Sequence, residues 1–156
     1  MVAADAAGVV NVADRSAGIG YYTASEVLAT LERTRAASGR LLAYVAETPD
    51  AGVVGFRFTL APGRWSHGRG EGLSPQRWPA PLSRTGYFLS CFVDPDWTGA
   101  GVGRQLAARA LEDLREEGAR AVVAHCWKES PHGSSRRYLE RLGFEAVDEH
   151  REYWID

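Results

Sequence analysis

The sequence contains few cysteines and no clustered metal ligands. Only two of the 156 residues are cysteines, Cys91 and Cys126, and both lie in apolar runs that predict buried strands. Two buried thiols are typical of small unreactive hydrophobic side chains and do not favour a disulfide. No group of Cys, His and carboxylate residues has the spacing of metal ligands, so we expect no metal site.

Long hydrophobic segments and a strong charge of either sign are also lacking. No apolar stretch approaches the ~20 residues that a membrane-spanning helix requires. The N-terminus has no basic segment followed by an apolar run, as a secretory signal would. The formal net charge of −2 gives no general attraction to nucleic acid or anionic lipid. We therefore expect a cytoplasmic protein without membrane or nucleic-acid partners.

The length and the apolar pattern predict one domain over residues 1–156, with an α/β fold of mixed α+β layers. Thr23 and Glu26 form an S/T-x-x-E capping box that starts a helix. Val102 begins a run of apolar residues at helical spacing that Gly118 ends. The predicted elements, in order, are a helix at 4–14, a helix from 24, a hairpin of strands 40–47 and 52–60, a strand at 85–93, a helix from 102, a strand at 121–127, a helix before Gly143 and a strand at 145–155.

Residues 61–84 predict a long irregular loop that is rich in Gly, Pro and Arg. Loops longer than ~12–15 residues are uncommon in compact domains unless they are functional or disordered. Trp65 and Trp78 lie in this segment. They either form a wall of a substrate pocket or only cover the surface.

A glycine-rich turn joins the strand at 85–93 to the helix that begins at Val102. Gly99, Gly101 and Gly103 permit positive φ angles and close approach of a ligand to the backbone. The free amides and the dipole at a helix N-terminus favour a phosphate group. Neither a G-x-G-x-x-G fingerprint nor a P-loop matches this segment. The turn is therefore either an anion site of another kind or a tight turn that only permits strand–helix packing.

Two segments resemble the GNAT superfamily of N-acyltransferases. Residues 88–106, FLSCFVDPDWTGAGVGRQL, are similar to its central motif, in which a strand ending in Val-x-Pro precedes Arg/Gln-x-x-Gly-x-Gly/Ala and a helix. Residues 138–144, YLERLGF, are similar to its later helix that ends in Leu-Gly-Phe. The resemblance implies a central mixed sheet with two splayed parallel strands, flanked by helices. The first strand of the family is either absent here or lies upstream of the sequence.

The resemblance also implies an acyl-CoA-dependent N-acyltransferase. Such an enzyme moves an acetyl or related acyl group from coenzyme A to the amine of a small molecule by direct attack. Backbone groups of Cys91, Phe92 and Val93 would pair with pantetheine. The implied cradle for the pyrophosphate is formed by the amides of Gly99, Ala100, Gly101, Val102, Gly103 and Arg104. Thr98 stands where the family usually has Arg or Gln, and Arg104 is a candidate to replace that charge.

The candidate catalytic residues are Tyr138, His125 and Glu129. Many family members have a tyrosine four residues before the Gly of Leu-Gly-Phe, where it protonates the leaving thiolate. That position is Leu139 here, and Tyr138 is one residue earlier, a rotation of about 100° around a helix. Tyr138 is therefore either the acid or a core aromatic. His125 or Glu129 would act as the base or hold a basic water, unless they are a core histidine and a solvated carboxylate.

Other functions remain open at this level. The fold also accommodates aminoacyl transfer from charged tRNA, decarboxylation of an acyl-CoA, or binding of acyl-CoA without turnover. The displaced tyrosine favours the last of these, whereas the net charge gives no support for tRNA. Whether the protein forms a homodimer is left open.

Overall fold

The computed structural model describes residues 1–65, 77–126 and 135–147, and within them a four-stranded sheet carries helices on both faces. Two helices come first, α1 and α2, followed by an antiparallel hairpin. A third strand, a long helix, a fourth strand and a short helix complete the described elements. Their bounds are α1 Ala6–Ala17, α2 Ala24–Arg33, β1 Ala43–Thr48, β2 Gly52–Leu60, β3 Thr85–Val93, α3 Val102–Glu116, β4 Ala121–Ala124 and α4 Ser135–Arg141.

Local sequence signals determine where several elements begin. The capping box of α2 is confirmed: Thr23 Oγ1 accepts a hydrogen bond from the Glu26 amide at 3.2 Å, and the Glu26 carboxylate accepts one from the Thr23 amide at 2.8 Å. α3 begins directly after Gly101, whose φ of +83° lies in the left-handed region that favours glycine. α1 is longer than the predicted helix and ends before Gly18.

The sheet is mixed, as the sequence predicts. β1 pairs with β2 and β2 with β3 in antiparallel fashion, and β3 pairs with β4 in parallel. The parallel pair is connected through α3, as a β-α-β crossover requires. The strand order β1-β2-β3-β4 places the glycine turn at the carboxyl end of β3.

Each face of the sheet has its own apolar core. α1 and α2 cover one face, where Val9, Val27, Phe56 and Phe58 are buried together. α3 covers the other face, where Phe88 packs with buried residues of that helix and with half-buried residues of α4. Since residues alternate along β2, Arg57 points to the α3 face between Phe56 and Phe58 on the α1 face.

Two predictions about the C-terminal part need correction. β4 ends at Ala124, so Cys126 is exposed and not buried, while Cys91 on β3 is half-buried. The physical reason is that β3, the sheet partner of β4 among the described residues, pairs with it only up to Ala124. Residues 144–147 form no strand. The remainder of the predicted last strand lies outside the described residues.

Candidate active site

The pairing of β3 with β4 stops halfway along β3. Phe88 opposite Ala124 is the last parallel pair. At the same point the register of β2 with β3 shifts by one residue, which leaves Leu89 as a bulge. Bulges bend a strand and often adjoin functional sites. We use the word wedge for the gap between residues 89–93 of β3 and residues 125–126, and the word apex for its closed end at Phe88.

The wedge exposes the residues that were predicted to pair with pantetheine. Cys91 and Val93 are half-buried on β3 beyond the last pair with β4. Phe92 points to the opposite face, where its ring lies 5.6 Å from Phe56 and 5.0 Å from Tyr21. Among the described residues, β3 has no second sheet partner along 89–93, so this edge is available to an extended ligand.

The glycine turn presents a row of unpaired amides. Gln105 donates back to the Gly101 carbonyl, but the amides of residues 101–104 have no hydrogen-bond partner among the described residues. Gly99 and Gly101 both have positive φ angles, +86° and +83°. Arg104 is exposed and forms no ion pair within the described ranges. The turn therefore has the donors and the charge that a phosphate group requires.

Contacts from α1 hold the turn in place. Arg15 donates to the buried carboxylate of Asp94 at 2.6 Å and to Asp96 at 2.8 Å. Ser16 donates its hydroxyl to the Val93 carbonyl at 2.9 Å. Asp94 also accepts from the Asp96 amide at 3.0 Å. The end of β3 is thus attached to the helix on the opposite face, which fixes the direction in which the turn leaves the strand.

Tyr138 lies against the first turn of α3. Its hydroxyl donates to the Gly103 carbonyl at 2.7 Å and accepts from Arg57 Nη2 at 2.6 Å. A Cβ added to Gly103 would lie 3.2 Å from Cε2 of the Tyr138 ring, so a glycine here allows the close approach. The one-residue displacement therefore still brings Tyr138 to the strand and turn that were predicted to bind the cofactor.

The environment of Tyr138 keeps its hydroxyl protonated. The pKa of Tyr138 is raised to about 12, mainly by burial and also by the nearby Cys91 thiol, while the Arg57 guanidinium opposes the rise. A phenol of this pKa is a weaker acid than a thiol of pKa near 8.5. Tyr138 is therefore suited to donate a hydrogen bond to a thiolate and not to transfer its proton completely.

Sequence reasoning missed Arg57. Its side chain is 1% exposed, and its Cζ lies 3.9 Å from the centroid of the Phe88 ring. Arg57 is the only charged residue in β2, within the otherwise apolar run GVVGFRFTL. A single cation within an apolar strand of the predicted hairpin was the available signal, because charged residues are almost never buried without a partner.

His125 lies on the other side of the same region. It is exposed just beyond β4, and its Nδ1 lies 2.7 Å from the Tyr87 hydroxyl, with the donor set by the imidazole tautomer. Tyr87 contacts Trp65, which stacks on Trp78 at 5.6 Å and donates from Nε1 to the Thr85 carbonyl at 2.8 Å. The structure thus groups His125 with the aromatic residues of the long loop. Glu129 lies outside the described residues.

The described ranges hold no other obvious cofactor site. No group of three or more His, Cys, Asp or Glu side chains in them is arranged to bind a metal ion. None of their helices combines the length and the apolar character that a bilayer crossing needs. Coenzyme A fits the donors that are present, because the open strand edge suits pantetheine and the unpaired amides of the turn suit its pyrophosphate.

Known proteins resemble this chain in sequence. Residues 20–144 match the family model described as the acetyltransferase (GNAT) family. A mycothiol acetyltransferase of Nocardiopsis dassonvillei is 31% identical over 105 residues, 67% of this chain and 28% of that relative. Another from Beutenbergia cavernae is 35% identical over 91 residues, 57% of this chain and 30% of that relative. The chain thus spans less than a third of the length of these two relatives.

A solved structure shows the same fold. The aminoglycoside N-acetyltransferase AAC(6′)-Iy in complex with CoA superposes with a TM-score of 0.69 and 18% identity, covering 99% of this chain and 91% of that one. The family model covers the sheet, the wedge, the glycine turn and Tyr138. This chain therefore belongs to the GNAT acetyltransferase family.

Proposed function

We propose that this protein transfers an acetyl or related acyl group from coenzyme A to the amine of a small molecule. The observation that carries the proposal is the wedge next to the unpaired amides of residues 101–104. An extended pantetheine arm needs an open strand edge, and a pyrophosphate at its end needs a cluster of donors. β3 and α3 provide both within one continuous segment of chain.

Each predicted residue has a role in this proposal. Cys91, Phe92 and Val93 pair with pantetheine through their backbone groups, and the amides from Gly99 to Arg104 hold the pyrophosphate. This arrangement places the thioester towards the apex of the wedge. Binding both reactants in one orientation supplies a large part of the rate enhancement, because a bimolecular reaction becomes effectively unimolecular.

The chemistry is a direct displacement. A neutral amine attacks the thioester carbonyl carbon, a C–N bond forms, and the C–S bond breaks with its electron pair on sulfur. The amine loses one proton to a base, for which His125, Glu129 or a water held by them are the candidates. Tyr138 donates a hydrogen bond to the departing thiolate, which solvent then protonates.

The acceptor belongs to the class of small amines in this proposal. The named relatives support this class: two are mycothiol acetyltransferases and one is an aminoglycoside N-acetyltransferase. The stacked Trp65 and Trp78, together with Tyr87 and His125, offer a wall for such an acceptor. No membrane or nucleic-acid partner is part of the proposal, and its setting is the cytoplasm.

Release of free thiol from acetyl-CoA tests the proposal. The purified chain is incubated with acetyl-CoA and a panel of amines that includes aminoglycosides and mycothiol-related amines. Thiol release that depends on one amine, with the acetylated amine identified by mass spectrometry, is the expected result. Binding of acetyl-CoA without release for any amine would contradict acyl transfer.

One observation favours a second candidate, a module that binds acyl-CoA without turnover. The Tyr138 proton is already donated to the Gly103 carbonyl, so the hydroxyl has to leave this acceptor to reach a ligand sulfur. If that bond persists when acyl-CoA is bound, Tyr138 cannot donate a hydrogen bond to the departing thiolate, as the transfer proposal requires. The same assay distinguishes the two functions, because a binding module shows affinity for acetyl-CoA and no thiol release.

A further inference from the structure

Arg57 is a buried cation with almost no compensation. Its one recorded hydrogen bond among the described residues goes from Nη2 to the Tyr138 hydroxyl, and its Nε is buried without a partner. None of the ion pairs among the described residues includes Arg57. The other buried ionic side chains among the described residues are compensated, since Asp94 binds Arg15 and Asp113 binds Arg40.

A buried guanidinium without a counter-charge destabilises the folded state. An ionised side chain that is removed from water without an opposite charge loses a large part of its hydration free energy. The Phe88 ring offsets part of this loss of hydration, because the quadrupole of an aromatic face attracts a cation above it. An apolar residue of similar length would pack in the same place without the penalty. The retained charge therefore points to a ligand or a developing charge at this position.

The position of the charge is the apex of the wedge. Phe88, beneath the guanidinium, is the last residue of β3 that pairs with β4. Arg57 is also opposite Cys91 in the β2–β3 register, the first predicted pantetheine contact. The titratable groups that interact with the Tyr138 hydroxyl are Cys91 from β3 and Arg57 from β2, and no described carboxylate is among them. α3 contributes the Gly103 carbonyl.

We propose that Arg57 is a positioning residue for acyl transfer, which holds the Tyr138 hydroxyl at the apex and favours the thiolate form of a thiol bound there. This inference rests on the proposed function, since it requires the thiol end of coenzyme A to occupy the apex. Arg57 acts through Tyr138 and through its electric field. When the C–S bond breaks, the negative charge on sulfur develops in a space of low dielectric beside an uncompensated cation, where the attraction is much stronger than in water.

The ionisation of the bound thiol tests this directly. The ultraviolet absorbance of the thiolate is titrated in the complex with CoA, and the same titration of the complex with desulfo-CoA is subtracted. The subtraction removes the protein tyrosines and cysteines, since they contribute to both titrations. We expect the pKa of the bound thiol to lie about one unit or more below that of free CoA, measured in the same buffer.

Variants assign the shift to Arg57. Arg57→Met removes the charge and keeps most of the side-chain length, so the bound thiol should titrate as in free CoA and kcat should fall at least about tenfold. The KM for acetyl-CoA should change much less, because the pyrophosphate site is intact. Arg57→Lys should restore part of both effects. Arg115→Met removes an equally positive but exposed charge near the end of α3 and should change neither.

The outcomes separate the two proposals. If CoA does not bind the wild type, or no amine causes thiol release, the proposed function fails. If CoA binds and turnover occurs but the thiol of the wild-type complex titrates as in free CoA, only the role of Arg57 is wrong. This second result needs no variant, so it remains decisive even if Arg57→Met does not fold. A shifted thiol pKa that Arg57→Lys and Arg57→Met leave unchanged would also overturn the role.

Discussion

At the scale of single residues, Tyr138 is the side chain whose role depends most on geometry. Its hydroxyl bridges Arg57 and the Gly103 carbonyl, so its position is fixed from two other elements. Tyr138→Phe removes the hydrogen-bond donor and should lower kcat at least about tenfold, with a smaller change in the KM for acetyl-CoA. Steady-state kinetics measure both constants.

Tyr44→Phe provides a control for Tyr138→Phe. Tyr44 is also a partly buried tyrosine, and its hydroxyl donates a 2.9 Å hydrogen bond to Asp113. It lies on β1 and not at the wedge. Its replacement should reduce stability and leave kcat near the wild-type value. If Tyr138→Phe behaves in the same way, Tyr138 is a core residue and not part of the chemistry.

The raised pKa of Tyr138 also predicts how stability depends on alkaline pH. The unfolded chain ionises this phenol near its ordinary pKa of 10, whereas the folded protein keeps the proton until about 12. The unfolded state therefore binds fewer protons across this window, and the free energy of unfolding falls as pH rises. Tyr138→Phe should show a shallower fall in urea denaturation between pH 9 and pH 11, limits that are about one unit either side of the ordinary value. Parallel curves for the two proteins would contradict the assigned shift.

At the scale of elements, the turn from β3 to α3 is the predicted anion site. Gly101→Asp places a carboxylate next to the amides of residues 101–104 and should abolish binding of acetyl-CoA, because the charge would repel the pyrophosphate. Isothermal titration calorimetry of the folded variant measures the loss.

Backbone strain has to be separated from charge in that experiment. Gly101 has a φ of +83°, so any side chain there is strained. Gly39→Asp is the matched control, since Gly39 has a φ of +90° with open space around it and lies outside the turn. Both variants should lose similar stability, but only Gly101→Asp should lose affinity. Normal affinity of the folded Gly101→Asp variant for acetyl-CoA would show that this turn does not bind the pyrophosphate.

The long segment after β2 is expected to act on the acceptor and not on acetyl-CoA. Trp65 and Trp78, on either side of residues 66–76, stack with their ring centroids 5.6 Å apart. Replacing 66–76 with a short Gly-Ser linker should raise the acceptor KM more than the acetyl-CoA KM. The same linker inserted after Asp50, in the hairpin turn, should change neither constant. Wild-type values for both constants in the 66–76 replacement would exclude the segment from the site.

At the scale of the whole molecule, the position of α3 depends on charges that attach it to the first strand. The Asp113 carboxylate is buried and accepts from Arg40 at 3.0 Å and from the Tyr44 hydroxyl at 2.9 Å. These bonds connect α3 with β1 and with the segment before it. The same helix carries the predicted pyrophosphate site at its other end.

Asp113→Ala should therefore destabilise the protein by about 1.5–3 kcal/mol, the typical contribution of hydrogen bonds to a charged group. Glu116→Gln is the control, because Glu116 binds the same Arg40 but is exposed, and exposed ion pairs contribute about 0–1 kcal/mol. Urea denaturation measures both. Equal losses in the two variants would show that burial of Asp113 has no special role.

The local features of the protein could be predicted from its sequence. β2 and β3 have the predicted bounds, α2 has its capping box, α3 begins at Val102, and the family motifs indicated the mixed sheet. These features depend on residues that are neighbours in the chain, such as a cap three positions from its partner or glycines at a turn. The candidate cofactor segment could be identified in the sequence for the same reason.

Contacts between distant parts of the chain, in contrast, could not be predicted from the sequence and required the folded structure. Arg57 and Tyr138 are 81 positions apart, and no local pattern relates them. The end of β4 at Ala124, and with it the exposure of Cys126, becomes visible only in the pairing of β4 with another strand. Helical spacing alone could not decide between the two roles of Tyr138. It gives the direction of the side chain around its own helix, but not the groups of α3 and β2 that the side chain contacts.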